Sequence, residues 1–91
     1  MKKITLTEFF ESKENLVIHF DTKDKVKKFR DVAVSLKYNN IPCKSDDAID
    51  YLWDRYEDEI CFSNDGYHSS LGFYEGGNYT IYEFEDVDLD N

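Results

Sequence analysis

The sequence predicts an α+β domain in which a small, mainly antiparallel sheet of about four strands carries two to three helices packed on one face. Three observations indicate this class. Residues 16–20 are a continuous apolar or β-favouring run, apolar residues recur at helical spacing within 22–36 and 46–58, and the apolar period changes to two from residue 60 onward. The length, 91 residues, predicts a single domain spanning 1–91.

The first twenty residues predict a short helix followed by a buried strand. Thr5 and Glu8 have the spacing of a capping box, which predicts a helix over 6–12. The run LVIHF at 16–20 suits a strand covered on both faces, because it lacks the polar alternation of a strand with one face in water. His19 lies inside this run, and we expect it to be a hydrogen-bonded core histidine.

A second helix follows and ends before a proline. Asp21 or Thr22 caps it, and residues 38–40 end it. Residues 41–43 read as an extended link or an edge strand, because Pro42 has no N–H to donate to a sheet. The basic residues of this helix predict either intramolecular balance against acidic segments or a self-association surface: Lys23, Lys27, Arg30 and Lys37.

The third helix is predicted over 46–58, with Ser45 as its cap. Its apolar residues leave one polar face on which acids gather without a base: Asp46, Asp47, Asp50, Asp54, Glu57 and Asp58. Like charges four residues apart cost this helix about 1 kcal/mol together. This face is either a solvated surface of an acidic protein or a surface that binds a partner.

The remaining chain predicts strands. Residues 60–63 and 67–69 form a hairpin around the turn at 64–66, and residues 79–85 form the last strand. Residues 70–77 fit either a strand or a single helical turn capped by Ser and ended by Gly.

Acids continue along and beyond the last strand. They comprise Glu83, Glu85, Asp86, Asp88 and Asp90. Their alternation slips by one residue near Glu85, which predicts a bulge or a strand end there. Carboxylates two apart on a strand stand about 6.7 Å from each other, similar to successive phosphates of a nucleic acid. The alternative is a solubilising tail that protects a sheet edge.

Charge is segregated along the chain. The net charge is −9; residues 1–44 carry ten Lys/Arg and six Asp/Glu, and residues 45–91 carry one Arg and fourteen acids. Such segregation points to electrostatic recognition of a basic surface. Direct binding of nucleic acid is disfavoured, because the overall field repels phosphate. No membrane span or signal segment is present in the sequence, which predicts a cytoplasmic protein.

Catalysis and metal binding find little support. His19, His68, Cys43 and Cys61 match no metal-site spacing, and no phosphate loop is present. The two cysteines are expected to be buried thiols. We therefore predict that the protein is not an enzyme and holds no cofactor or metal.

Two segments carry a family resemblance. LTEFFESKENLVIHFDTKDKVKKF and NYTIYEFEDVD resemble small acidic accessory proteins of phages and prophages of low-GC Gram-positive bacteria. The resemblance implies a protein that disables a host machine, as anti-CRISPR, anti-restriction and other anti-defence inhibitors do. It carries no functional residue over to this chain.

The leading hypothesis is a phage-type inhibitor whose acidic, nucleic-acid-mimicking surface docks on the basic nucleic-acid-binding site of a host defence protein. The docking surface comprises the acids of the third helix together with Glu83, Glu85, Asp86 and Asp88, and its aromatic anchors are Trp53, Tyr56 or Tyr82. The alternative is a nucleotide-signal binding or sequestering module, forming a homo-oligomer, with basic groups beside a pocket lined by Tyr67, His68, Tyr74, Tyr79 and Tyr82.

Overall fold

The structure is a computed structural model and describes residues 3–89. The elements in chain order are β1 (Ile4–Thr5), α1 (Leu6–Glu11), β2 (Leu16–His19), α2 (Lys23–Ser35), α3 (Asp46–Tyr56), a first 3-10 turn (Glu57–Glu59), β3 (Ile60–Ser63), β4 (His68–Ser70), α4 (Leu71–Glu75), β5 (Thr80–Glu83), a second 3-10 turn (Phe84–Asp86) and β6 (Val87–Asp88). The α+β class is confirmed.

Four strands form the main sheet in the order β4-β3-β2-β5. The β4–β3 and β3–β2 pairs are antiparallel, as predicted, whereas β5 joins the free edge of β2 in parallel, with His19 opposite Glu83. Between β4 and β5 the chain passes through α4, which lets β5 enter the sheet in the same direction as β2. A separate short parallel pair, β1–β6, ties the two ends of the described chain together.

The helices begin where their capping residues predict. Thr5 and Glu8 form the reciprocal capping box of α1. Thr22, rather than Asp21, accepts the hydrogen bond at the start of α2, and Ser45 does so for α3. Ser70 caps α4, which resolves the alternatives for residues 70–77 in favour of a helical turn. Each cap satisfies backbone donors that a helix start leaves without partners.

Some helix and strand ends differ from the prediction. Helix α3 ends at Tyr56, two residues before the predicted end, because Glu57 has a φ of 52° and leaves the helical conformation. The last strand ends at Glu83, and the second 3-10 turn occupies the position where the acidic alternation slips. Residues 41–43 are irregular. The prediction of a link is therefore confirmed, and the alternative of an edge strand is wrong.

The larger core lies between the sheet and α1, α2 and α3. Ile18, Phe20 and Phe62 point to this side, and Phe20 packs edge-on against Phe29 of α2 with ring centroids 5.3 Å apart. Ile49 of α3 is fully buried in the same cluster. Burial of such side chains contributes about 1.5–3 kcal/mol each, which makes this cluster the main source of stability.

A smaller core covers the opposite face of the sheet. Alternation along the strands places Val17 and Cys61 on this side, and Tyr74 of α4 packs over them. Three helices thus share one face, as predicted, and the short α4 covers the other. Strand β2 is consequently buried along its whole length, as its apolar run predicted.

None of the helices in residues 3–89 combines the length and apolarity needed to cross a bilayer.

Candidate functional site

The first part of α3 faces α2, and salt bridges join the two helices. Lys23 Nζ lies 2.5 Å from Asp50 Oδ1, and Arg30 Nη2 lies 2.9 Å from Asp46 Oδ1. The hydrogen bond and charge of Lys23 hold the pKa of Asp50 below its usual value. We call these four residues the α2–α3 seam. The prediction that the acids of α3 lack a base is therefore wrong for Asp46 and Asp50, and the predicted intramolecular balance is confirmed for Lys23 and Arg30.

Sequence could not reveal this because the bases belong to another helix. When two amphipathic helices pack side by side, the polar residues that border their apolar stripes come within reach of each other. Asp47 and Asp54, by contrast, are exposed and make no salt bridge within residues 3–89. The helix thus presents fewer uncompensated charges than its sequence indicates.

Uncompensated acids concentrate at the end of α3. Glu57, Asp58 and Glu59 are consecutive and exposed in the first 3-10 turn. No Lys, Arg or His of the described chain forms a salt bridge with their side chains. Glu57 and Asp58 were predicted on the helix face, but the turn displaces both from it.

His19 connects this turn to the last strand of the sheet. Its ring Nε2 lies 2.6 Å from the carbonyl oxygen of Asp58, and Nδ1 lies 2.8 Å from Glu83 Oε1. Both partners accept, so both ring nitrogens donate, which is the hydrogen-bonding pattern of a charged imidazolium. His19 is only 9% exposed. One ring therefore holds the turn and the β5 carboxylate together, and we call Glu57, Asp58, Glu59 and Glu83 the acidic edge.

The surroundings favour the charged form of His19. Burial lowers its pKa, but the hydrogen bonds to the Asp58 carbonyl and to Glu83, with the charges of Glu83 and Asp21, outweigh burial and raise it. Near the same edge, burial raises the pKa of Cys61 to about 12, and the carboxylates of Glu83, Glu59 and Glu75 add to that increase. The negative charge of the acidic edge therefore raises the pKa of a thiol buried behind it.

The C-terminal acids do not form the predicted row. The second 3-10 turn interrupts the strand after Glu83, so Glu85 and Asp86 leave the strand geometry. Glu85 forms a salt bridge with Lys25, which also bonds Asp21, and Asp86 is buried. Asp88 is exposed in β6. The prediction of carboxylates at phosphate spacing along one strand is wrong for this segment, and Asp90 lies outside the described residues.

The predicted aromatic anchors are spread over the molecule. Trp53 and Tyr56 are partly buried against the larger core. The Tyr56 hydroxyl lies 3.1 Å from His68 Nδ1, and Arg55 lies over the Tyr56 ring. Tyr82 lines a separate open groove beside α1 with a volume of about 390 Å³. The structure thus places Trp53 and Tyr56 on the helix that leads to the acidic edge, and Tyr82 on another side.

A second cavity gathers most of the predicted aromatic pocket. It has a volume of about 280 Å³ and lies beside the smaller core. Its lining comprises Ser63, Asp65, Tyr67, His68, Ser69, Phe73, Tyr74 and Tyr79. Four of the five predicted residues meet there, and Tyr82 does not. No Lys or Arg of the described chain lines this cavity, so the basic groups expected for a nucleotide phosphate are not at the site.

Burial shifts the pKa values of the two cysteine thiols and of His68. Burial raises the pKa of Cys43 to about 12, as it does for Cys61, so both thiols stay protonated at neutral pH. Burial lowers the pKa of His68, and the nearby Arg55 adds to that decrease. Within residues 3–89, no group of three or more His, Cys, Asp or Glu side chains is arranged to hold a metal ion.

Sequence reasoning missed three features of the candidate sites. Glu59 belongs to the acidic run but lies beyond the predicted helix, and the run Glu57-Asp58-Glu59 itself was the signal. Asp65 and Phe73 line the aromatic cavity, although the sequence indicated only a turn and an undecided segment there.

The role of His19 as a bridge had no sequence signal, because it depends on pairing with a strand 64 residues away.

Comparison with protein-family models, with curated proteins and with solved structures found no match to this chain.

Proposed function

We propose that this protein is a non-enzymatic inhibitor that docks its acidic edge onto a basic, nucleic-acid-binding surface of a host defence protein in the cytoplasm. The observation that carries the proposal is the acidic edge itself. Three consecutive exposed carboxylates lack a salt-bridge partner within the described chain, and His19 joins the backbone of their turn to Glu83. A surface of this kind offers fixed negative charge to a groove that normally holds phosphates.

The edge suits docking better than the whole face of α3. Asp46 and Asp50 already have basic partners, and a partner protein would compete with Lys23 and Arg30 for them. Glu57, Asp58 and Glu59 form no such salt bridges. Basic side chains of a partner can therefore pair with them without breaking an ion pair inside this protein.

Electrostatics would supply fast association, with long-range attraction between opposite potentials. Aromatic rings of α3, the helix that leads to the acidic edge, would supply the anchor. Tyr51, 63% exposed on α3, is one such ring in addition to the predicted Trp53 and Tyr56. The net charge of −9 supports a protein target rather than nucleic acid, because phosphate is repelled. The resemblance to phage accessory proteins supports a host defence protein as the target class.

The test begins with capture of a host partner by the immobilised protein at low ionic strength. The captured protein is identified and purified, and its association rate is then measured over a series of salt concentrations. We expect the rate to fall steeply with salt and heparin to compete, because heparin occupies basic nucleic-acid-binding surfaces.

Matched charge reversals locate the surface. The double variant Glu57→Lys, Glu59→Lys should slow association about tenfold or more at low salt, because each reversal replaces an attraction with a repulsion. The control, Glu11→Lys with Glu14→Lys, makes the same change of net charge near the start of β2, the opposite end from His19. Equal effects of the two double variants would show that net charge alone matters, and an unaffected edge variant would exclude the acidic edge as the docking surface.

A further inference from the structure

The second cavity has aromatic walls and an open mouth. Tyr74 forms its inner side, and its ring stands nearly perpendicular to Phe73 and to Tyr79, with centroid distances of 5.2 Å and 4.7 Å. These edge-to-face contacts hold the three rings in place at the cavity wall. Tyr67 and Phe73 also line the cavity and are 69% and 60% exposed. Exposed rings at one cavity are costly to leave in water, which marks this place as a binding site.

The charge of the lining selects the ligand. Asp65 contributes a carboxylate, which accepts a hydrogen bond from Ser63 Oγ. No Lys or Arg of the described residues lines the cavity, and Arg55, whose charge lowers the pKa of His68, lies over the Tyr56 ring outside the lining. His68, the remaining titratable base of the lining, has a pKa lowered by burial and is neutral at pH 7. An anionic ligand would therefore meet an unpaired carboxylate and the negative faces of aromatic rings.

A cation meets the opposite conditions. Aromatic faces attract ammonium and guanidinium groups, and a carboxylate at the same site supplies the counter-charge. At about 280 Å³ the cavity is at the small end of ligand sites, which suits one compact head group rather than a whole nucleotide.

We propose that the cavity formed by Asp65, Tyr67, Phe73, Tyr74 and Tyr79 binds an organic cation, a quaternary ammonium or a guanidinium group. The cation can come from a free small molecule or from an exposed arginine of a protein. This site is separate from the acidic edge and does not depend on the proposed inhibitor function.

Nuclear magnetic resonance titration of the full chain tests the proposal with defined probes. Choline represents a free quaternary ammonium, and its neutral isostere 3,3-dimethylbutanol has the same shape without charge. Blocked arginine represents a protein side chain, with blocked citrulline as its neutral counterpart, and adenosine monophosphate represents a nucleotide. We expect saturable shifts of the amides in 63–69 and 73–79 with a cation and much weaker shifts with its neutral counterpart. Tighter binding of choline identifies a free cation, and tighter binding of arginine identifies a partner side chain.

Variants separate the cavity from general surface effects. Phe73→Ala and Tyr67→Ala should each weaken binding about fivefold, because each removes one aromatic face. Both residues are exposed, so the fold should tolerate the changes. Asp65→Asn keeps an acceptor for Ser63 and should also weaken binding, whereas Tyr51→Ala removes an exposed ring outside the cavity and should not. Equal binding of cation and neutral isostere, tighter binding of the nucleotide, or absence of saturable shifts would overturn the proposal.

Discussion

The α2–α3 seam and the acidic edge contain the same kind of residue in opposite situations. At the seam, carboxylates of Asp46 and Asp50 meet bases from a neighbouring helix across an exposed surface. At the edge, the carboxylates of the first 3-10 turn have no salt-bridge partner in residues 3–89, and His19 bonds to the backbone carbonyl of Asp58 and to Glu83. The seam uses its charge inside the molecule, whereas the edge leaves its charge available.

The difference shows that acids in the sequence do not reveal which carboxylates have a basic partner in the fold. At the seam, salt bridges at the protein surface reduce the field of Asp46 and Asp50 and add little stability. The acidic edge depends on one buried imidazolium. On folding, this ring loses its hydrogen bonds to water and makes hydrogen bonds within the protein instead. We therefore expect changes at His19 to have large effects and changes at the seam to have small ones.

The largest effect is expected from His19→Ala. This change leaves the Asp58 carbonyl and the Glu83 carboxylate without their shared donor and opens a gap in a nearly buried position. The free energy of unfolding should fall by about 2–3 kcal/mol, the magnitude of lost hydrogen bonds to a charged group. Urea denaturation followed by circular dichroism at about pH 6 measures it, where the imidazolium is present.

Two further variants interpret that loss. His19→Gln keeps one donor and should retain part of the stability. Glu83→Gln keeps an acceptor for His19 but removes the charge, and should cost less than His19→Ala. A stability unchanged in His19→Ala would show that the ring does not hold the turn to β5.

Stability should depend on pH through the same ring. The pKa of His19 is raised in the folded state, so its contribution is fully present below the unfolded value of 6.5 and is lost as the pH rises through the raised folded pKa. The titratable groups that face it and raise its pKa are Glu83 and Asp21. In a His68→Gln background, which removes the other histidine, unfolding free energies at about pH 6 and about pH 8 should therefore differ, with the lower pH more stable.

His68 works in the opposite direction. Its pKa is lowered, so the stability of its neutral form is present above 6.5 and is lost as the pH falls through that value toward the lowered folded pKa. The variant His68→Gln removes this contribution and isolates that of His19, and His19→Gln should flatten the loss above 6.5. A pH dependence above 6.5 that survives His19→Gln would contradict the assignment.

A smaller, stabilising effect is expected at Glu57. Its φ of 52° with ψ of −132° lies in a conformation that favours glycine, and this strained residue begins the turn of the acidic edge. Glu57→Gly should raise the free energy of unfolding by about 1 kcal/mol, because glycine adopts this conformation without a Cβ clash. Thermal denaturation measures the gain. Glu57→Gln removes the charge without relieving the strain, so an equal gain in both variants would attribute the effect to charge repulsion instead.

Much of the fold was predictable because its signals are local. Thr5, Thr22, Ser45 and Ser70 begin helices because their side chains accept from amides three residues ahead, and such short-range bonds are visible in sequence. The uninterrupted apolar run of β2 likewise predicted burial on both faces. The parallel placement of β5 was not predictable, since it depends on which sheet edge the chain reaches after α4.

The candidate site was predictable only in part, for the same reason. The acids were visible, but their partners were not, because Lys23 and Arg30 reach α3 from another helix. Glu57 and Asp58 lie off the helix face because Glu57 has a positive φ. A Glu residue in the sequence does not indicate such a backbone conformation. The aromatic cavity was largely anticipated from its rings, but the absence of basic lining residues, which changes the expected ligand from anion to cation, required the structure.

The smallest effect is expected at the seam. Lys23→Met removes the partner of Asp50 while keeping most of the aliphatic stem that packs along the helix. Both side chains are at least one third exposed, so stability should change less than in any variant of His19, and any change should vanish at high salt because exposed charges are screened. Urea denaturation at low and high ionic strength measures this.

The same variant also sharpens the functional comparison. Lys23→Met frees Asp50, so the seam gains an uncompensated acid next to Asp54, while the acidic edge stays unchanged. If docking uses the acidic edge, Lys23→Met should change the association rate of the captured partner little. The double variant Glu57→Lys, Glu59→Lys should still slow that association strongly at low salt. If Lys23→Met instead strengthened binding as much as the edge reversal weakened it, the docking surface would extend along α3, and the separation between seam and edge would not hold for recognition.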